Sequence, residues 1–558
     1  MAERREGPTR LNPTLLLAGL LVLAVALRFW RLGDWNFQAT EIFTWRDSQT
    51  PQFSNPRPLG YLLTYYLVRP FLPLDEFGVR LLPALFGVLA IPAVYLTSRR
   101  LVGTRAACFA ALFLAVSPLH ILYSQLARYW SLVFLLSAIY PYALYVGIRE
   151  RNLRALLLGL ATCVLAVLAH PVSVLLIGGV AIWAVVTYLR PADLARTWTT
   201  MWRRQSFRWG AVVAAIALVV VLARLVYLLQ GWISKHDTNP GMGQFLSRTP
   251  ERPGLRQIVL LSAYAESLMF PLVIVGVAGI YLLWKERDRQ LALLLTCLAG
   301  FPLIFVALLS LRTTVSTYYV LPTAPVFFIG AGAFLDRLFN VDWRMGPRWL
   351  TPVTVTALIV VAGVPSIISD YRDGRRYDYR GAAQWLEKRA APEDVVFSDQ
   401  HMVLAHYLPG NQVQRLRHDT APLMESLRAH ESGGGGTLWI VAPAPSHIFR
   451  TDLKRGGLID WIYDNCQLRH TRGVGRVDLR QHYLQVYRCP PAASGALRHQ
   501  PVTGPSAVRL RREREGPSPL DGSTYRQSLL DQQLPIEGHP AISHRSQSKV
   551  GGDMVTAP

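Results

Sequence analysis

The chain has 558 residues, of which 51% are hydrophobic and only 17% are charged, and its mean hydropathy is +0.24. Soluble globular domains carry about 25% charged residues, so this composition excludes an ordinary soluble protein and indicates that much of the chain faces lipid. The net charge of +22 does not indicate nucleic-acid binding, because the basic residues stand in short clusters between apolar runs, as in the loops of membrane proteins.

Eleven apolar runs predict membrane-spanning helices, since about 20 helical residues cross a hydrocarbon core that is about 30 Å thick. The first run has a basic flank like that of a signal peptide. No small-residue cleavage site follows it, so we interpret it as a retained helix. The stretch 59–73 is too short to span and predicts a helix in the membrane interface. The predicted spans are 14–32, 78–97, 104–119, 129–148, 154–170, 172–189, 209–230, 264–284, 290–310, 315–335 and 351–369.

Lys and Arg are concentrated in every second loop, which predicts the orientation of the chain in the cell inner (plasma) membrane. The positive-inside rule places the N-terminus in the cytoplasm. An odd number of spans then puts the region after the last span outside, whereas an even number would reverse that statement. The basic loops include Arg5, Arg100, Arg149, Lys285 and Arg337.

The fold class that we predict is a mostly α, polytopic membrane domain over 1–370, followed by two smaller regions. Residues 371–489 alternate between strand and helix patterns and predict a small extracytoplasmic α/β domain. Residues 490–558 are poor in apolar side chains and predict a disordered tail. Within the α/β domain, strands are predicted over 394–399, 437–444 and as a pair near 468–488, and helices over 379–390, 421–430 and 452–464.

Five cysteines are too few for a disulfide scaffold. Cys108, Cys163 and Cys297 fall in apolar runs and are interpreted as packing residues. Cys466 and Cys489 pair if their region is extracytoplasmic, and otherwise are two unrelated thiols.

The first external loop, 33–77, is long and aromatic and predicts part of a functional site. It contains Asp34, Glu41, Arg46 and Asp47. A carboxylate beside a cavity at the membrane surface can act as a general base. The alternative is that each acid is simply solvated.

Other polar residues mark the junctions at the external ends of later spans. Arg128 is a guanidinium suited to bidentate phosphate binding, although an arginine there also anchors to lipid headgroups. His120 either binds substrate or caps a helix, and His170 is a polar residue at membrane depth. Together these residues indicate an outward-facing site for a substrate with a lipid tail and a charged headgroup. The predicted substrate-binding residues are Arg46, His120, Tyr123, Gln125, Arg128, Tyr129, His170, Arg312, Tyr318 and Tyr319.

In their order and spacing, these segments resemble the GT-C superfamily of membrane glycosyltransferases, in the dolichyl-phosphate-mannose and aminoarabinose transferase-like group. The resemblance covers about 1–400. The segments that carry it are 27–45, 57–71, 76–101, 117–138, 318–332 and 379–396.

The resemblance implies transfer of a hexose or pentose from a polyprenyl-phosphate donor to a hydroxyl on the non-cytoplasmic side. The acceptor is a saccharide, a lipid or a protein. An acid of the first external loop takes the acceptor proton, and basic residues hold the departing phosphate. The expected catalytic acids are Glu41 and Asp47. No resident cofactor and no set of metal ligands is predicted. Whether the reaction requires a divalent cation stays open.

The sequence departs from the family pattern at three places. The family's loop Asp-Glu pair corresponds to Thr40 and Glu41, and its Gln-Glu-x-Arg motif to residues 125–128, where the Glu is absent. The family also has a basic residue before the tyrosine of the tenth span, and the corresponding position in this sequence is Thr317 or Tyr318. Three interpretations stay open: Glu41 or Asp47 has taken the role of the base, the substrate differs, or catalysis is lost and the protein binds a lipid-linked saccharide. A transporter is disfavoured, because no inverted repeat is evident.

Overall fold

The computed structural model describes residues 12–188 except 52, 54 and 56, together with 209, 264–265, 268–286, 288–310, 317–341, 349–373, 376–416, 437–443, 461–462, 465–472 and 484–489. The chain divides into two compact units, Met1–Ser494 and Gly495–Pro558, and every described residue belongs to the first. The predicted tail, the predicted helix 421–430, and nearly all of the predictions over 209–230 and 452–464 lie outside the described residues.

Helices dominate the described part of the chain, as predicted. Prolines at the helix starts supply a fixed φ angle. Asparagines and aspartates at the helix starts supply side-chain caps. For example, Asn152 and Asp288 each accept a backbone N–H from the first turn that follows them. The helices are α1 (Pro13–Phe29), α2 (Ala39–Asp47), α3 (Pro58–Leu67), α4 (Glu76–Val102), α5 (Thr104–Ala115), α6 (Pro118–Ser124), α7 (Trp130–Ser137), α8 (Tyr140–Arg149), α9 (Leu153–Ala169), α10 (Val174–Tyr188), α11 (Phe270–Lys285), α12 (Arg289–Leu309), α13 (Ala324–Leu338), α14 (Leu350–Asp373), α15 (Tyr379–Glu387) and α16 (His401–Tyr407).

The mostly helical membrane fold is confirmed, and each predicted span outside 209–230 coincides with helix. Six helical segments of the described chain are long and apolar enough to cross a membrane. They become seven if α5 and α6, which are bent by 59° at the break between them, form one span. The helices α1, α9 and α11 are apolar but shorter. The count of eleven spans stays a prediction.

Ion pairs join several loops that the charge distribution predicts to lie on the cytoplasmic side. They connect the α4–α5, α8–α9 and α11–α12 loops and the end of α13. These loops therefore lie at one end of the helical bundle, whereas the junctions predicted to be external meet at the other end. The four pairs are Arg100–Glu150, Arg105–Asp336, Arg149–Asp288 and Arg337–Glu286.

Helices α11 and α13 pack with their backbones in contact, because glycines line the crossing. A Cβ atom on Gly279 would lie 1.8 Å from the carbonyl oxygen of Gly330, and one on Gly330 would lie 2.3 Å from that of Gly276. Small residues permit this close approach between membrane helices. By contrast, Gly300 on α12 has no atom within 4 Å of the position that a Cβ would take.

The region after α14 contains a five-stranded sheet. Its strands are β1 (Val395–Ser398), β2 (Gln412–Arg415), β3 (Leu438–Pro443), β4 (Gln467–Arg472) and β5 (Leu484–Cys489). Parallel pairs join β1 to β2 and to β3, and antiparallel pairs join β3 to β5 and β5 to β4, which gives the order β2-β1-β3-β5-β4. Helix α16 was not predicted. The predicted cysteine pair is joined by a disulfide between Cys466 and Cys489 at the end of β5.

The glycine crossing predicts a position-specific packing defect. Gly279→Leu should force α11 away from α13 and cost about 1–3 kcal/mol or more of stability, whereas Gly300→Leu should be tolerated. Thermal unfolding of the purified protein in detergent measures both. Equal losses in the two variants would contradict the close packing.

Candidate functional site

The first loop is organised by Glu41, whose side chain is completely buried. Glu41 lies in the first turn of α2, and its Oε2 accepts the backbone N–H of Gln38 at 2.8 Å, as in the reciprocal half of a capping box. Its Oε1 accepts the backbone N–H of Ala127 at 2.7 Å. The carboxylate thus fixes the start of α2 and ties it to the turn between α6 and α7.

Two arginines from distant parts of the chain complete the surroundings of Glu41. Arg80 of α4, also completely buried, donates from Nε to Oε1 at 2.8 Å and from Nη2 to Oε2 at 3.0 Å. Its remaining N–H groups bind the carbonyl oxygens of Leu32, Trp35 and Asn36. Arg376, just after α14, places Nη1 3.3 Å from Oε2. One carboxylate therefore joins the loop, a membrane helix and the segment that leads into the sheet.

These contacts hold Glu41 in its ionised form. Burial by itself would raise the pKa of Glu41, but the charges of Arg376 and Arg80, with the hydrogen bonds from Arg80 and Ala127, lower it to about 2. A carboxylate with so low a pKa and with both oxygens occupied is a weak proton acceptor. The geometry therefore gives Glu41 a structural position and favours Asp47 for the predicted role of base.

Asp47 ends α2 with its side chain 10% exposed. Its Oδ1 accepts from Arg46 Nη2 at 3.0 Å and Nε at 3.1 Å, and its Oδ2 accepts from Asn55 at 3.1 Å. Each carboxylate oxygen has two lone pairs, so Oδ2 can accept a further hydrogen bond. Unlike Glu41, Asp47 contacts no buried arginine among the described residues.

Two cations converge on one tyrosine beside this loop. Arg57, at the start of α3, donates to the hydroxyl of Tyr129, and Arg128 donates to the same hydroxyl from Nη2 at 2.9 Å. Within the described ranges, no carboxylate oxygen lies within 4 Å of either guanidinium. Two cations that lack an acidic partner among these residues are suited to bind an anion.

Arg128 also reaches the loop helix and α3. Its Nη1 lies 2.9 Å from the carbonyl oxygen of Thr40 and 3.4 Å from the hydroxyls of Thr44 and Tyr61. Thr44 stands one helical turn before Asp47, so both residues lie on the same side of α2. The predicted base and the predicted phosphate ligand are thereby brought to one place.

Aromatic rings from three junctions cover the other side of Tyr129. His170 lies 4.9 Å from Tyr129 and 4.7 Å from Trp130, and Trp130 lies 4.6 Å from Tyr318, between ring centroids. Tyr319 lies next to this group, 6.2 Å from His170. His170 Nδ1 accepts the backbone N–H of Val172 at 3.0 Å, so the neutral ring carries its proton on Nε2. Four of the predicted substrate-binding residues are therefore neighbours.

A cavity opens beside the cationic pair. It is small and partly open to solvent, and it lies between α2, α3, α4 and α7. Its lining residues are Thr44, Gly60, Tyr61, Thr64, Val79, Leu82, Pro83, Phe86, Ala127, Arg128, Tyr129 and Leu132.

Other predicted ligands lie away from this cavity. His120 is buried, and its Nδ1 lies 2.8 Å from Nη2 of Arg28 near the end of α1. Gln125 donates to the carbonyl oxygens of residues 27, 28 and 30 and so caps α1. Tyr123 packs edge-on against Trp130 at 6.3 Å. Arg312 lies outside the described residues.

Sequence reasoning missed four arginines and one tyrosine that matter here. Arg28 and Arg80 lie within predicted spans, where an ionisable residue is itself a signal. Arg57 and Tyr61 belong to the proline-led interfacial segment but were not singled out. Arg376 carried no local signal. In the described ranges, no three His, Cys, Asp or Glu side chains are grouped as metal ligands.

The comparisons with known proteins agree with this fold and confirm the resemblance to the GT-C superfamily of glycosyltransferases. The family model described as dolichyl-phosphate-mannose-protein mannosyltransferase matches residues 57–227. None of the curated proteins matches the sequence.

Two kinds of solved structure are similar to the chain. ArnT from Cupriavidus metallidurans bound to undecaprenyl phosphate has a TM-score of 0.55 at 15% sequence identity, over 85% of this chain and 97% of ArnT. The apo oligosaccharyltransferase of Archaeoglobus fulgidus has a TM-score of 0.51 at 13% identity, over 78% of this chain and 70% of that protein. At these identities the likeness shows the fold.

The buried cluster predicts a folding defect from a conservative change. Glu41→Gln leaves Arg80 and Arg376 without their counter-charge, which should cost about 3–5 kcal/mol. Asp34→Asn is the matched control, because Asp34 pairs with Arg31 in the same loop with its side chain 53% exposed. Thermal unfolding in detergent should show a large loss for Glu41→Gln alone. A fully stable Glu41→Gln protein would refute the structural role.

The lowered pKa of Glu41 also predicts how stability depends on pH. Because the folded value of about 2 lies below the ordinary value of 4.5, the stabilisation by Glu41 is complete above about pH 4.5 and is lost as the pH falls through about 2. The gap in unfolding temperature between wild type and Glu41→Gln should therefore narrow in acid. A gap that does not change from pH 7 to pH 2 would contradict this assignment.

Proposed function

We propose that the protein is a membrane glycosyltransferase that moves a sugar from a polyprenyl-phosphate donor to an acceptor hydroxyl on the extracytoplasmic face of the inner membrane. The observation that carries the proposal is the placement of Arg57 and Arg128, which have no acidic partner among the described residues, next to the loop helix that ends in Asp47. This reaction requires a base on one side of the anomeric carbon and a binding site for the donor phosphate on the other side.

The chemical step follows from these positions. The acceptor oxygen attacks the anomeric carbon and forms the new glycosidic bond, while the bond between that carbon and the phosphate oxygen breaks. Asp47 takes the acceptor proton. The polyprenyl phosphate leaves with the electron pair, and Arg57 and Arg128 balance the charge that builds up on it.

The orientation is part of the same proposal. The loops rich in arginine meet at one end of the bundle through the four ion pairs described above, and the cavity lies at the other end with loop 33–77. If the basic loops are cytoplasmic, the cavity and the sheet region both face outward. The Cys466–Cys489 disulfide agrees with that side, because disulfides persist in oxidising compartments.

A second candidate function is binding of a lipid-linked saccharide without turnover. It is favoured by Thr40, which stands where the family's loop aspartate is expected, and by Asp47, whose two oxygens are already contacted by Arg46 and Asn55. In that case the cationic pair would still hold the lipid phosphate, but no residue would activate the acceptor.

Asp47→Asn separates the two functions. The assay measures release of undecaprenyl phosphate from a panel of undecaprenyl-phosphate hexoses and pentoses by the purified protein in proteoliposomes supplied with saccharide, lipid and protein acceptors. General-base catalysis contributes about 10²–10⁴-fold, so Asp47→Asn should lower turnover by at least about 100-fold. Asp34→Asn, in the same loop but exposed, should retain it.

Two results would contradict the assignment. Unchanged turnover by Asp47→Asn would remove Asp47 as the base. A wild-type protein that binds undecaprenyl phosphate but releases it from no donor in the panel would favour the binding function.

A further inference from the structure

The sheet region carries basic side chains on the face that packs against α15. Alternate residues of a strand share a face. The pairing of β4 with β5 places Arg472 opposite Leu484 and His470 opposite Val486, and Arg488 follows two residues after Val486. Leu484 and Val486 belong to the core that the sheet forms with α15. The two arginines and the histidine therefore lie on the α15 side of the sheet.

Aromatic rings hold the cations of this face in place. Trp385 of α15 stacks on His470, with ring centroids 5.0 Å apart and ring planes 7° apart. The guanidinium carbon of Arg389, just beyond the end of α15, lies 4.4 Å from the centroid of the Trp385 ring. Nε of Arg472 donates to Nε2 of His470 at 3.0 Å. Such contacts lower the entropy that an arginine loses when it binds a ligand.

We refer to Arg389, Arg472 and Arg488 as the arginine ridge. The third member lies over the ring of Trp439, with its guanidinium carbon 5.8 Å from the ring centroid. All three arginines are exposed. In the described part of the chain, no carboxylate oxygen lies within 4 Å of any of them. The ridge is therefore a positively charged surface with N–H donors left for an anion.

His470 reports the excess of positive charge on this face. Burial and the charges of Arg472 and Arg389 lower the pKa of His470, whereas Asp378 acts in the opposite direction. The carboxylate of Asp378 already accepts the backbone N–H of Gly381 at 2.8 Å, as the cap of α15. The imidazole therefore stays neutral near pH 7, and Asp378 is not a counter-ion for the ridge.

The ridge is too long for one small anion. Arg472 lies opposite Leu484, four residues before Arg488, and a strand rises about 3.4 Å per residue, so the two arginines are separated by about 13 Å along the strands. A guanidinium binds a carboxylate or a phosphate through two parallel hydrogen bonds. A ligand that engages the whole ridge must carry at least two such groups on one chain.

The surroundings of the ridge distinguish among acidic partners. A surface that inserts into a bilayer exposes several apolar side chains. Among the described residues of 376–489, Leu468 is the only large hydrophobic residue that is exposed, and it pairs with Tyr487, whose ring packs on the opposite side of the sheet. A peptide strand would pair through its backbone with the edge strand β4, whereas the ridge lies on the face of the sheet. An acidic saccharide, which side chains alone recognise, fits best.

We propose that the arginine ridge binds a saccharide chain that carries carboxylate or phosphate groups. Its role rests on the proposed function, under which this chain is the acceptor, held by its acidic groups while one of its hydroxyls reaches Asp47. The ridge is close enough for that. Arg380, at the start of α15, binds Glu76 at the end of loop 33–77, and the nine residues of α15 span about 13 Å.

The test measures binding of polygalacturonate, an acidic saccharide, and of dextran, a neutral one, to the purified full-length protein in nonionic detergent by microscale thermophoresis. Wild type should bind polygalacturonate and not dextran, and the affinity should fall as NaCl is added, because salt screens exposed charges. A double variant with Arg472→Gln and Arg488→Gln should weaken polygalacturonate by at least about tenfold, since it removes two charge-assisted contacts.

Arg415→Gln is the matched control. Arg415 is an exposed arginine on β2, at the opposite edge of the same sheet, so its replacement lowers the charge of the region without touching the ridge. It should leave the affinity for polygalacturonate unchanged. Arg472→Gln and Arg488→Gln alone should each give a smaller loss than the double variant, so the test holds even if the double variant is less stable.

Three results would overturn the inference. They are equal binding of polygalacturonate and dextran by wild type, an equal loss in Arg415→Gln and the double variant, and binding of poly-L-glutamate at least as tight as that of polygalacturonate, which would assign the surface to an acidic peptide. None of these results affects release of undecaprenyl phosphate from the donors. Conversely, a protein that binds polygalacturonate through the ridge but releases undecaprenyl phosphate from no donor would refute the proposed function and leave the ridge as a binding surface.

Discussion

The rest of the bundle end that carries loop 33–77 depends on one buried charge cluster, Glu41 with Arg80 and Arg376. Removing three charged groups from water is costly unless each finds a partner. Here the carboxylate accepts from Arg80 and from two backbone N–H groups and forms an ion pair with Arg376, while Arg80 uses all five of its donors. Such a network permits little variation in geometry. It fixes α2 relative to α4, and thereby sets where the face with Thr44 and Asp47 points.

This cluster divides the charged residues of the site into two groups with different tasks. The buried group pairs within itself and holds the loop, although Nε of Arg376 finds no hydrogen-bond partner in the described part of the chain. The second group, Arg57, Arg128 and Asp47, is the one that the proposed function assigns to the ligand. One acid cannot serve both tasks well, since the contacts that make Glu41 a good scaffold lower its basicity. The separation explains how the loop keeps its shape although the sequence has Thr40 at the family's aspartate position.

The helices and most strands could be predicted from the sequence, because apolar run length and alternation are local properties. The short helix α16 could not, since seven residues give no clear period. The site was only partly predictable. Arg128, His170 and Tyr318 stand at recognisable junctions, but the role of Glu41 depends on Arg376, a residue near Asn36 in space yet 340 positions away along the chain. No local sequence pattern indicates such a distant partner. The partner of His120, Arg28, could not be predicted for the same reason.

The position of Arg376 beyond α14 also sets an order of events during synthesis. The loop that carries Glu41 leaves the translocation machinery early, when Arg80 is the only one of its two cationic partners yet made. The second partner is made only after the last described apolar helix, α14, and under the proposed orientation the segment that carries it must also cross the membrane. The charge cluster is therefore completed late, so a nascent chain that is still being inserted into the bilayer holds Glu41 with only one of its two arginines.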